Sequence, residues 1–203
     1  MLPLGVGGAF YINLAHREDR RKEIEGELAT IGIACERFNA IKGNPGIVGC
    51  GYSHLGVLKE AKARGYGSVL IFEDDYKFLV DKDTFWSTIA SVEADLSGNY
   101  DVVMLGYGLF KSTPFSENLM KVMDAQAPSA YIVHSRMYDR LIELYEWAMP
   151  LLQSTGRHWE YANDQVWKRL QPTADWYATT LRLGKQRPSY SDCNGAFAEY
   201  LNA

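Results

Sequence analysis

Cysteine is scarce in this 203-residue sequence. Cys35, Cys50 and Cys193 are odd in number, widely spaced and without the paired spacings of a zinc site. They read as reduced thiols, which excludes a disulfide framework and makes a reducing compartment the expectation. Long apolar runs are missing too. Val69 to Phe72 and Val102 to Leu105 are among the longest and are far too short to cross a bilayer, so no segment is expected to span a membrane. Met1 to Gly8 lacks the basic stretch and long apolar core of a secretory signal, and the expected location is the cytoplasm. Neither sign of charge dominates: 21 Lys and Arg against 25 Asp and Glu give a net charge of −4. That mild acidity provides no global field to attract a phosphate backbone, so no nucleic-acid partner is expected.

What is present is ordinary for a folded protein. With 47% hydrophobic, 13% aromatic and 23% charged residues, the composition argues against disorder, collagen-like repeats and coiled coil. The length suffices for one sizeable core, and no linker or repeat divides the chain, so a single domain over residues 1–203 is expected.

Strand-like runs alternate with helical ones. Ala9 to Leu14 and Ala34 to Ala40 flank a charged segment in which Ile24, Leu28 and Ile31 recur at helical spacing, and Gly32 ends it. After a loop over Gly43 to Gly51, Ser53 is placed to cap a helix running to about Arg64. The short run Ser68 to Phe72 is continuously apolar, as in a strand covered on both faces. A helix carrying Phe85, Ile89, Val92 and Leu96 leads to a strand at Asp101 to Leu105. Further strands are expected at Leu119 to Met123 and Ser129 to Val133, then a helix closed by Pro150 and a short helix starting near Asn163. This alternation predicts an α/β fold whose sheet is at least partly parallel.

The strongest chemical signal is Glu73-Asp74-Asp75, three carboxylates delivered by a buried strand to the crevice where open α/β sheets bind ligands. Side-chain alternation predicts Glu73 and Asp75 on one face and Asp74 on the other. Paired carboxylates suit a hard divalent cation, Mn²⁺ or Mg²⁺, bridging to substrate phosphates. The plain alternative is a solvated acidic turn that caps the next segment.

Asn13, Arg17 and Arg20 follow the first strand. An asparagine can read a base or ribose and an arginine can grip phosphate, although the same residues can simply cap a helix and pair with nearby acids. Gly49 to Gly51 ahead of Ser53-His54 suggests flexible backbone at a helix start, a site for an anionic group with His54 as a donor; a lone histidine there can also be structural. Trp159, Tyr161, Trp176 and Tyr177 read first as core, with Tyr107 and Trp159 as candidate acceptor-side walls.

Taken in order, Tyr11-Ile-Asn-Leu with Arg17 and Arg20, Glu36 to Ala40, Gly49-Cys50 with Ser53-His54, and Val69 to Asp75 resemble glycosyltransferase family 25, the lipooligosaccharide-biosynthesis and procollagen-galactosyltransferase group. Weaker echoes continue through Asp101 to Gly106, Ser129 to Val133, Asn163 to Trp167 and Gln186 to Asp192. The resemblance implies a GT-A type fold, a Rossmann-like mixed sheet flanked by helices, with a nucleotide-binding half over about residues 1–110 and an acceptor-binding half over about 111–203. It implies a UDP-sugar donor, a carbohydrate or other hydroxyl acceptor and a Mn²⁺ or Mg²⁺ cofactor. By position, Asp75 would ligate the metal and Glu73 would contact metal or ribose, with Asn13, Arg17, Arg20, Ser53, His54 and Asp74 around the nucleotide.

An inverting member of that family needs a base for the acceptor hydroxyl. Asp164 is the first candidate and Asp192 the second, with helix capping as the other reading of Asp164. The rival functions are a catalytically silent nucleotide-sugar-binding domain and a metal-dependent phosphoesterase, for which the sequence lacks a matching histidine cluster.

Overall fold

The structure is a computed structural model and describes residues 2–193 and 195–198. The chain runs β1 (Val6–Asn13), α1 (Glu18–Ile31), β2 (Glu36–Asn39), α2 (Gly46–Ala63), β3 (Ser68–Glu73), β4 (Tyr76–Phe78), α3 (Lys82–Leu96) and β5 (Val102–Pro114). It continues with β6 (Leu119–His134), α4 (Ser135–Thr155), the short helices α5 (His158–Tyr161) and α6 (Asn163–Val166), and the strands β7 (Trp176–Thr179), β8 (Gly184–Gln186), β9 (Ser189–Ser191) and β10 (Ala196–Ala198).

Six strands form one mixed sheet in the order β2-β1-β3-β6-β5-β7. β2, β1 and β3 are mutually parallel, β6 is antiparallel to β3 and β5, and β7 is parallel to β5. Alternation along the buried strands divides the apolar side chains between two layers. Phe10, Ile12, Val69 and Ile71 join the core containing Leu58, Tyr145 and Trp167, whereas Tyr11, Leu70 and Phe72 join Ile24, Leu28 and Phe85 on the other side. Helices α2 and α4 supply the first core, and α1 and α3 the second. The mixed α/β expectation therefore holds, with the continuously apolar β3 at the centre.

Gly32 ends α1 as expected, at φ 79°, with its amide donating to Leu28 and Ala29 carbonyls. Three local expectations are corrected. Helix α2 begins at Gly46, so Ser53 lies inside it and caps nothing; its hydroxyl donates to Gly49 O at 2.6 Å and accepts from Ile41 N at 2.8 Å. Gly49 to Gly51 are accordingly helical and offer no free helix start to an anion. The two strands expected around residues 119–133 are one long strand, β6, paired along β5 through several register shifts. Pro150 does not close α4, because the buried stripe Leu141, Tyr145, Ala148 and Leu152 continues past it and offsets the missing amide bond.

The aromatic residues also sort themselves. Trp167 and Trp176 are fully buried with ring centroids 5.0 Å apart. Tyr107 is buried and donates its hydroxyl to Thr179 O, so it forms no cleft wall, while Trp159 is exposed.

Candidate functional site

A cleft of about 640 Å³ opens where β1 and β3 end, within the size range of small-molecule sites. Its walls include Arg20, Ser53, His54, the acidic triplet, Asp164 and Asp192. Asn13 and Arg17 do not line it. Their side chains are committed behind the wall: Asn13 Nδ2 donates to Asp74 Oδ2 at 2.7 Å, and Arg37 Nε donates to Asn13 Oδ1 at 2.9 Å. Arg17 donates to Asp192 Oδ2 at 2.5 Å and to Tyr190 O at 3.0 Å.

Strand β3 stops at Glu73, and the chain turns at Asp74-Asp75, so the expected two-sided alternation does not reach Asp75. Instead Arg20 gathers the two aspartates. Its Nη1 lies 2.9 Å from Asp74 Oδ1 and 3.2 Å from Asp75 Oδ2, and its Nη2 donates to Ser189 Oγ at 2.6 Å and Tyr190 O at 2.9 Å. One guanidinium thereby ties the acidic turn to the C-terminal β9 segment. Glu73 is held separately, with Oε1 3.2 Å from His54 Nε2 and Oε2 accepting from Gln186 Nε2 at 3.0 Å. Gln186 stands there because β8 pairs with β4, and the Arg187 amide donates to Asp75 O at 2.7 Å.

Three carboxylates share this turn with one arginine, and the imbalance is visible at Asp75. Burial, followed by the negative charge of Glu73, pushes its carboxyl up to about 7 against the opposing pull of Arg20. Asp75 Oδ1 is buried without a hydrogen-bond partner, as are Gln186 Oε1 and Asn163 Nδ2 in the same cleft. Unpaired buried polar atoms are costly, and their convergence on a cavity fits a polar or cationic ligand. The oxygen donors of Asp75 and Glu73 suit a hard divalent cation.

At the opposite wall, Asp164 Oδ2 accepts from Ala127 N at 3.1 Å. Ala127 has φ 55°, a left-handed conformation unusual for a residue with a side chain, in the irregular stretch where β6 passes the cleft. Burial raises the proton affinity of Asp164. Asp192 goes the other way: burial would raise it, but the Arg17 hydrogen bond and His16, 3.3 Å away, hold it below the usual carboxylate range.

Cys50, Tyr131 and Gln186 fall within stretches quoted from the sequence but had no site role there. Tyr131 Oη is 2.7 Å from His54 Nδ1, a contact from the central strand that no sequence spacing announces. Cys50 stands one helical turn before His54, a visible signal. A hydrogen bond with Cys193 and burial both raise its thiol pKa well above the ordinary value.

No protein-family model matches the chain. A human protein named inactive glycosyltransferase 25 family member 3 is 26% identical over 134 residues, covering 51% of this chain and 22% of that protein. The chain thus corresponds to less than a quarter of that relative's length. A glycosyltransferase involved in glycosylating the major capsid of PBCV-1 superposes with a TM-score of 0.53 at 10% identity, covering 93% of this chain and 95% of that one. UDP-glucose pyrophosphorylase complexed with UDP-glucose gives a TM-score of 0.48 at 14% identity, over 92% and 75% of the two chains. The fold is GT-A-like, a likeness shared with the capsid glycosyltransferase over most of both chains. Among the described residues, no helix is long and apolar enough to cross a membrane.

Proposed function

We propose that this protein is a metal-dependent glycosyltransferase that moves a hexose, galactose or glucose, from a UDP-sugar to a hydroxyl of a glycan or other acceptor, with inversion at the sugar carbon. The observation that carries the reading is Asp75 Oδ1: a buried, unpartnered carboxylate oxygen in a large cleft, on a turn whose negative charge one arginine only partly offsets. The GT-A-like fold and the partial likeness to a glycosyltransferase 25 family member support it.

On this reading Asp75 and Glu73 hold Mn²⁺ or Mg²⁺, and the ion supplies Lewis-acid stabilisation of charge on the departing diphosphate. Arg20 fixes the Asp75 carboxylate while closing the β9 segment against the turn. His54 and Gln186 orient Glu73. Asp164, rather than the ion-paired Asp192, accepts the proton of the acceptor hydroxyl, because its raised proton affinity suits a base. Ser53 serves the site from behind, by holding the Ile41 backbone at the cleft wall.

Calorimetric titration with a panel of nucleotide sugars, with and without Mn²⁺, followed by product analysis, tests the proposal. Asp75→Ala is expected to abolish metal-supported turnover and to keep a cooperative melt; retained turnover rejects the assignment. A second reading is a silent nucleotide-sugar-binding domain, favoured by the word "inactive" in the human relative's name. It predicts donor binding with no product from any acceptor.

A further inference from the structure

We propose that Cys50, His54 and Glu73 form a second type of metal site in the cleft, one that takes a thiophilic divalent ion such as Zn²⁺. The three donor atoms, a sulfur, an imidazole nitrogen and a carboxylate oxygen, all lie within 4.8 Å of one another. Zinc bonds of about 2.0–2.3 Å in a tetrahedron put donor atoms roughly 3.3–3.8 Å apart, so small side-chain adjustments close the set around an ion. One edge is already close to that length, since His54 Nε2 and Glu73 Oε1 are 3.2 Å apart.

The elements explain why the donors converge. Cys50 and His54 are four residues apart on α2 and share one face, and that face meets the end of β3, where Glu73 is the last strand residue. Both partners of the cysteine are also oriented from behind, as metal ligands are. His54 Nδ1 is 2.7 Å from Tyr131 Oη, which fixes the ring and leaves Nε2 to face the cleft; Glu73 Oε2 accepts from Gln186 Nε2 at 3.0 Å, which leaves Oε1 beside His54. A lone buried histidine needing only a structural partner is satisfied by Tyr131 alone. The thiol one turn away on the same face plays no part in that role; it meets Cys193 in the cleft, a contact that an ion would replace. All three residues line the cleft, so the site has an entry path and room for a fourth ligand from solvent.

Donor chemistry separates this site from the one proposed for Mn²⁺ or Mg²⁺. Thiolate and imidazole select zinc and its relatives, whereas carboxylate oxygens select hard ions. Glu73 is common to both sites, so the test rests on Cys50, which only the thiophilic site uses, and on Asp75, which only the hard-ion site uses.

Cobalt(II) is the probe, titrated into the 203-residue chain kept reduced by a phosphine. The expected result is a thiolate-to-cobalt charge-transfer absorption that saturates at one equivalent and disappears on adding Zn²⁺. It is lost in Cys50→Ser and kept in Asp75→Asn. Tyr131→Phe, which removes only the support behind His54, is expected to weaken binding about 10–100-fold while leaving the absorption in place at saturation. The wild-type measurement alone can overturn the proposal: cobalt that does not bind, or binds without the thiolate absorption, excludes Cys50 as a ligand. Retention of the absorption in a folded Cys50→Ser variant overturns it as well. Because none of these readouts involves sugar transfer, the thiophilic site and the glycosyltransferase reading stand or fall separately.

Discussion

Arg20 Nη1 stands 3.2 Å from Asp75 Oδ2 and 2.9 Å from Asp74 Oδ1, with the arginine and both aspartates buried. A single guanidinium is therefore the counter-charge for two carboxylates that are largely withdrawn from bulk water. Removing one member of such a group leaves buried charge uncompensated, which costs about 3–5 kcal/mol. Arg20→Met is expected to lower unfolding free energy by that amount, measured by urea denaturation at neutral pH. A loss below about 1 kcal/mol would match a solvent-screened surface pair and contradict the burial.

Asp164 and Asp192 face the same cleft with opposite proton affinities. A general base contributes about 10²–10⁴-fold to rate. Asp164→Asn is expected to keep donor binding by calorimetry and to lower transfer by that factor. Asp192→Asn is expected to lower transfer far less, because its carboxylate is already engaged by Arg17. The reverse order of the two effects would move the base to Asp192.

The acidic triplet, the α/β alternation and the short helix at Asn163 were legible in the sequence because each is a local pattern: an apolar run, a helical period, a turn into charge. The partners of the acids were not. Arg20 meets Asp75 across 55 positions, and Gln186 meets Glu73 across 113, contacts set by sheet order and strand register. The start of α2 was misplaced for a related reason. Gly46, Gly49 and Gly51 have low intrinsic helix propensity, yet the helix packs its backbone closely at Gly49 and Gly51, where side chains would collide with Ile41 O and Met149. Tertiary packing overrode the local signal there.

The elevated proton affinity of Asp75 makes stability depend on pH in a definite direction. Burial and the charge of Glu73 push its folded carboxyl up to about 7 from the ordinary aspartate range near 4, so between these values the folded state binds more protons than the unfolded one. Stability contributed by the protonated form is full below about pH 4 and is lost as pH rises towards 7, by an amount on the order of a few kcal/mol. Urea midpoints of the metal-free protein are expected to fall across that window relative to Asp75→Asn, whose side chain does not titrate. Parallel profiles for the two proteins would show that Asp75 keeps an ordinary carboxyl.

Two glycine-to-alanine substitutions are expected to act with opposite signs. At Gly49 an added Cβ would lie 2.2 Å from Ile41 O and 2.4 Å from Gly43 N, both backbone atoms that cannot swing aside. The Gly43 strand of backbone must then move off α2, stretching the Ser53 hydroxyl between Gly49 O and Ile41 N and displacing the cleft wall formed by Ile41, Lys42 and Gly43. Overpacking of this kind costs about 1–3 kcal/mol, and Gly49→Ala is expected to lower the thermal midpoint and weaken nucleotide-sugar binding together. At Gly26, inside α1, no heavy atom lies within 4 Å of the added carbon. There the substitution only restricts the unfolded chain and favours the helix, so Gly26→Ala is expected to raise stability by about 0.5–1 kcal/mol without touching the cleft. Calorimetric melts of the two variants decide the matter: equal shifts would mean that the approach of α2 to residues 41–43 is looser than the structure has it.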